Sequence, residues 1–211
     1  MRKRLRVRTI RLVVFPALAL VGLLVLSALP QHAAPHPAAG EIVLMLDPAA
    51  SKVNWTLGTT LHTVHGTFAV KRGTLQLDAA TGKIGGEIVV DAASGASGDE
   101  GRDKKMHKDV LESARFGEVV FRPDRLEGKI APQGTFKSGI HGTFLLHGAE
   151  HELIVPVEGD LGTDHWTGSA KFSVPFVDWG LKNPGNFFLK VQHSVEIQLE
   201  LRGSLKSAAT P

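Results

Sequence analysis

Val191-Gln192-His193-Ser194-Val195-Glu196-Ile197-Gln198-Leu199-Glu200-Leu201 carries the cleanest alternation in the chain. Val191, His193, Val195, Ile197, Leu199 and Leu201 alternate strictly with Gln192, Ser194, Glu196, Gln198 and Glu200. A period of two puts successive side chains on opposite faces of a β-strand, so one face is buried and the other is wet. Moving outward, the same pattern recurs between turn signals. Val53, Trp55 and Leu57 oppose Lys52, Asn54 and Thr56, and Val64, Gly66, Phe68 and Val70 oppose His65, Thr67 and Lys71. A turn is expected near Arg72 and Gly73, beyond which Leu75 and Leu77 alternate with Thr74, Gln76 and Asp78. Asp78-Ala79-Ala80-Thr81-Gly82-Lys83 reads as a hairpin loop. Ile84, Gly86, Ile88 and Val90 follow it, and further strands are expected over residues 118–126, 134–147, 150–161 and 166–176. The pattern predicts about eight antiparallel strands, each with one wet face. Only residues 102–113 read as helical, with Met106 and Val110 at i and i+4 and an approach through Ser97-Gly98-Asp99-Glu100 at capping-box spacing. Alternation alone leaves both a sandwich and a closed barrel open.

The N-terminus has a different character. Arg2, Lys3, Arg4, Arg6, Arg8 and Arg11 precede an uncharged apolar run over residues 12–29, followed by a Pro-, His- and Ala-rich stretch to Gly40. This order predicts an export signal in residues 1–40, either cleaved or retained as a membrane anchor through residues 12–29. The positive charge ahead of the run would place the remainder on the outer side of the cytoplasmic membrane, in the periplasm or anchored to that side. Residues 41–205 are expected to form one domain and residues 206–211 a disordered tail. The first 40 residues hold six of the 24 Lys and Arg and none of the 21 Asp and Glu, so the rest carries 18 basic against 21 acidic side chains. The basic isoelectric point thus reports the N-terminal segment and gives no reason to expect a nucleic-acid partner. Without cysteine, disulfides, thiol nucleophiles and thiolate metal sites are excluded.

Four stretches carry a family resemblance. Asp47-Pro48-Ala49-Ala50-Ser51-Lys52-Val53-Asn54-Trp55, Val64-His65-Gly66-Thr67-Phe68, the stretch from Ser97 to Phe121 with Arg102-Asp103, Met106-His107 and Leu111-Glu112-Ser113, and Ile140-His141-Gly142-Thr143-Phe144-Leu145-Leu146-His147-Gly148 stand in order. Asp178-Trp179-Gly180 adds a fifth, looser match. Together they resemble the YceI family of exported, polyisoprenoid-binding, lipocalin-like proteins. The chain departs from the family pattern at Ala50, where many members have His, and in the spacing of His107 from Arg102-Asp103. The resemblance implies an all-β, eight-stranded antiparallel barrel with one short helix near one end. It also implies a long apolar cavity for an isoprenoid or other amphiphilic lipid. No cofactor is expected.

In such a barrel the apolar strand faces point inward. The expected cavity lining is Trp55, Leu57, Phe68, Leu75, Leu77, Ile88, Phe121, Phe144, Leu146, Phe172, Val174, Phe176, Val195, Ile197 and Leu199. Arg102, Asp103 and His107 form either a network that pins the helix over the barrel end or a clamp for a lipid head group. A metal site would need three or four converging ligands. His62-x-x-His65, the Asp103 and His107 pair, and His147-x-x-x-His151 each offer two, so no metal is expected. No G-x-S-x-G, H-E-x-x-H or phosphate-binding glycine pattern occurs, and no enzymatic activity is expected. Two function classes remain: an amphiphile-binding protein, and a membrane-anchored β-domain with a solid core and an interaction or structural role.

Overall fold

The computed structural model describes residues 41–207; the expected export segment and residues 208–211 lie outside the described residues. The described residues contain nine strands: β1 Glu41–Leu46, β2 Lys52–Gly58, β3 Thr63–Asp78, β4 Lys83–Ala96, β5 Glu118–Leu126, β6 Gly134–Leu146, β7 Ala149–Leu161, β8 His165–Val174 and β9 Val195–Ser207. Between β4 and β5 lie a short helix α1, Glu100–Lys105, and a π-helical turn, Met106–Val110. The strands run in the order β3-β2-β9-β8-β7-β6-β5-β4, and β4 pairs back onto β3. The sheet is therefore closed.

Nine strands make eight barrel positions because β1 and β2 share one. β1 pairs with the far half of β3 and the end of β9, while β2 pairs with their near halves. The break between them is an Asp-centred turn. Asp47 Oδ1 accepts from the N–H groups of Ala49 at 3.0 Å and Ala50 at 3.2 Å, and Ser51 Oγ donates to the Asp47 carbonyl at 2.7 Å. Ser51 Oγ also accepts the Arg202 N–H at 3.1 Å, hooking the kink onto β9. The described residues form an all-β, eight-stranded antiparallel barrel with a single short helix, as the resemblance implies.

Several local expectations are corrected. The change of face near Arg72 is a bulge inside one 16-residue strand, not a turn. Val70 pairs with Val90 and Arg72 with Val89, so Lys71 is the extra residue. It switches the buried positions from even-numbered Val64 and Val70 to odd-numbered Leu75 and Leu77. A bulge and a turn break a period of two in the same way. Asp124 acts likewise in β5, where the inner set passes from Phe121 and Pro123 to Leu126. The last strand starts at Val195, not Val191, which makes only an isolated bridge to Thr59. At its other end β9 continues through Lys206 to Ser207. The helix is capped by Asp99, whose side chain accepts from Arg102 N at 2.8 Å; Ser97 is used otherwise.

Two turns hold the barrel's connections. Asp78 closes the β3–β4 loop through Ala80 N, Thr81 N and Thr81 Oγ1, with Gly82 at positive φ. His147 (φ 52°) and Gly148 (φ 79°) form a two-residue hairpin between β6 and β7, the paired positive φ values that match the twist of antiparallel strands. Within the barrel, large rings lie against cross-strand glycines. Trp55 faces Gly66, Phe136 faces Gly159 and Trp166 faces Gly203 as register partners, and a side chain at any of these glycines would overlap the ring. The rings are thereby laid along the wall, and the axis stays open.

Candidate functional site

The inward faces enclose a cavity of about 510 Å³. Every strand contributes to it, including Leu44 from β1, Trp55 from β2, Phe68 from β3, Ile88 from β4, Phe121 from β5, Phe144 from β6, Val155 from β7, Phe172 from β8 and Val195 from β9. Its volume falls in the range of about 300–1,000 Å³ common to small-molecule sites. Two buried clusters bound it. One end is closed by Ile42, Leu77, Ile84, Leu126, Leu161, Trp166 and Leu205. The other joins Val110 of the π-helical turn to Leu146, Val174, Phe176 and Leu181. At this second end the lining includes partly or fully exposed Thr59, His62, Arg102, Lys105, Pro184 and Leu189, which mark the mouth.

All fifteen apolar residues expected from alternation lie on the cavity wall. The wall also contains other residues of the expected strands, Val53, Val64, Ile84, Phe136, Ile140, Val155, Leu161, Trp166 and Leu201, and Leu44 of β1, a segment without alternation. Leu181, Leu189 and Val191 come from an irregular segment, where no periodicity could have marked them. One polar atom is out of place. Trp55 is only 5% exposed, and its indole N–H finds no acceptor among the described residues.

Arg102, Asp103 and His107 are held mainly by other groups. Asp103 accepts from the backbone N–H of Ser97 at 2.9 Å and from the Ser97 hydroxyl. Arg102 donates from Nε to Ser97 Oγ at 2.7 Å and from Nη2 to the Ser97 carbonyl at 3.0 Å. Burial pushes the Asp103 carboxyl up, but the Ser97 hydrogen bonds and the charges of Arg102 and His107 outweigh it and hold the group below its ordinary range. His107 Nε2 lies 2.8 Å from the Gly95 carbonyl, so in the neutral ring that nitrogen carries the proton and Nδ1 accepts from Ser113 Oγ at 3.1 Å. Together these bonds tie the helix to the end of β4. Of the three, only Arg102 reaches the cavity.

The histidines spread apart. His65 Nδ1 pairs with Thr56 Oγ1 at 3.1 Å, while His62 stands at the mouth. His147 packs on Phe116, ring centroids 4.3 Å apart, with Nε2 3.3 Å from Glu112 Oε1. This ion-pair approach lacks hydrogen-bond geometry, since the same Nε2 has no hydrogen-bond partner. His151 stacks flat on Trp179 at 4.0 Å. Among the described residues no three His, Cys, Asp or Glu side chains gather as a metal site. No helix among them is long and apolar enough to cross a membrane.

The YceI-like domain family matches residues 44–203. The chain belongs to the YceI-like family. Solved structures share its fold at low sequence identity. BcnA of Burkholderia cenocepacia is 17% identical with a TM-score of 0.62, covering 75% of this chain and 99% of its own. A polyisoprenoid binding domain of Saccharophagus degradans, implicated in plant cell wall breakdown, is 14% identical with a TM-score of 0.59, covering 81% and 100%. The Campylobacter jejuni YCEI protein is 14% identical with a TM-score of 0.53, covering 67% and 84%. No curated protein matches the chain in sequence. The YceI-like match spans the stretches around Trp55, Phe68, Arg102 and His147.

Proposed function

We propose that this YceI-like chain is an exported binding protein that holds a polyisoprenoid or similar long-chain amphiphile in its barrel. The observation that carries this reading is the continuous apolar cavity of about 510 Å³, lined by all nine strands and open beside the helix. The fold shared with a polyisoprenoid binding domain supports the ligand class. The basic-then-apolar residues 1–40 support export. Each CH₂ taken from water contributes roughly 0.8 kcal/mol, so about ten of them offset the freedom a flexible tail loses on binding. Selectivity for chain length then follows from cavity depth, and the helix end receives the polar group.

The test is mass spectrometry of an organic extract of the gently purified full chain. A co-purifying isoprenoid or comparable amphiphile in near-stoichiometric amount is the expected result. Extracts without any amphiphile, together with no uptake of added prenyl lipid, would instead leave a β-domain with a structural or interaction role.

A further inference from the structure

We infer that the barrel mouth docks on an anionic lipid bilayer through Phe187, Phe188 and Leu61. Phe187 is 90% exposed, Phe188 87% and Leu61 76%, the three most exposed large apolar side chains among the described residues. They stand on two neighbouring loops. Thr60 N donates to the Lys190 carbonyl at 3.0 Å, and Thr59 bridges to Val191. The Phe pair is presented by an ordered turn: Asn186 Oδ1 accepts from Phe188 N at 2.9 Å and Leu189 N at 2.8 Å, and the two rings meet edge to face at 5.3 Å. Lys105 from the helix donates to the Pro184 carbonyl at 2.8 Å, fixing the same loop against α1.

Two features select a bilayer as the occupant. The first is charge complementarity: Lys182 and Lys190 flank the Phe pair, and residues 181–191 and 59–63 contain no carboxylate. Exposed aromatics flanked by lysines suit the interface of an anionic membrane, where rings enter the acyl boundary and ammonium groups reach the head groups. The second is continuity. Pro184, Leu189 and Val191 line the cavity from the loop that carries Phe187 and Phe188. A bilayer extends that apolar path, whereas a protein seated there would cover it. Continuity with the cavity rests on the carrier reading; charge complementarity does not.

The chain has no cysteine, so a single one can be placed at will. Full-length Leu61→Cys carrying a nitrobenzoxadiazole dye reports on the mouth, and Thr163→Cys, in the β7–β8 loop at the closed end, reports on the opposite side. With vesicles of equal parts phosphatidylcholine and phosphatidylglycerol, the dye at position 61 should brighten several-fold, shift to the blue and be quenched by nitroxide-bearing lipid. The dye at 163 should not respond. Adding Phe187→Ser and Phe188→Ser should abolish the response at 61 without changing the melting temperature. An unresponsive dye at 61, an equal response at 163, or a response that survives the double substitution would overturn the docking surface. Extracted lipid with no insertion at 61 would defeat docking and leave the carrier intact; insertion with no lipid ever bound would do the reverse.

Discussion

Trp55, on the cavity wall, holds a buried N–H donor without an acceptor among the described residues. An unmet buried donor is costly, and an oxygen-bearing ligand that reaches it regains about 1–1.5 kcal/mol. Trp55→Phe is therefore expected to weaken binding of a long-chain alcohol by about five- to tenfold, and to leave a hydrocarbon of equal length unaffected, as read by displacement of a fluorescent probe. On the outer face, Glu118 meets Lys71 at 2.8 Å and Arg72 at 2.9 Å. The hydrogen bonds from Arg72 and then Lys71 push its carboxyl down to about 2. A lowered carboxyl stabilises the fold above its ordinary value of about 4.5, and that contribution disappears as pH falls toward about 2. The melting temperatures of the parent and Glu118→Gln should thus differ at pH 6 and converge near pH 2. A gap that persists in acid would assign the effect to packing. At this scale the strand-borne lining was legible, because Trp55, Phe144 and Ile197 each sit in an unbroken alternation. Leu181, Leu189 and the bonds of Ser97 were not, since irregular backbone gives side chains no period.

Among the elements, β3 shows what alternation can and cannot reveal. Its two apolar runs, Val64 to Val70 and Leu75 to Leu77, were readable, but the Lys71 bulge that joins them was not separable from a turn. A different cause hid β1: Ile42-Val43-Leu44-Met45-Leu46 is apolar throughout, so this short strand, which shares its barrel position with β2, shows no alternation. Deleting Lys71 should move Leu75 and Leu77 from the closed-end cluster to the outer face. The expected result is loss of cooperative unfolding by circular dichroism, whereas Lys71→Ala, which keeps the residue count, should still melt in one transition. For the helical segment, Ser97 is the joint: its hydroxyl and backbone serve both Asp103 and Arg102. Ser97→Ala should raise hydrogen exchange over residues 99–110 while that of β6 to β8 stays unchanged. Uniform acceleration across the barrel would show that the helix is integral to it.

For the molecule as a whole, closure was implied by resemblance and not by periodicity, because a sandwich and a barrel share the same strand pattern. What distinguishes them is the pairing of β4 with β3. An open lumen and a solid core also respond oppositely to added volume. Leu146→Trp should displace the amphiphile while the melting temperature holds or rises; a solid core would instead lose about 1–3 kcal/mol to overpacking. Chemical denaturation with and without added lipid separates these outcomes. The rings laid over glycines have an optical consequence. The chain has three tryptophans and no tyrosine. Trp55 pairs with Ile197 toward the mouth and Trp166 with Gly203 toward the closed end, six residues apart on β9, or roughly 20 Å along the strand. Trp179 is not part of the lumen wall and stacks on His151. Native emission is consequently graduated by depth: a brominated chain entering the barrel darkens Trp55 first and Trp166 only when it is long enough, so the protein's own fluorescence measures how far its guest extends.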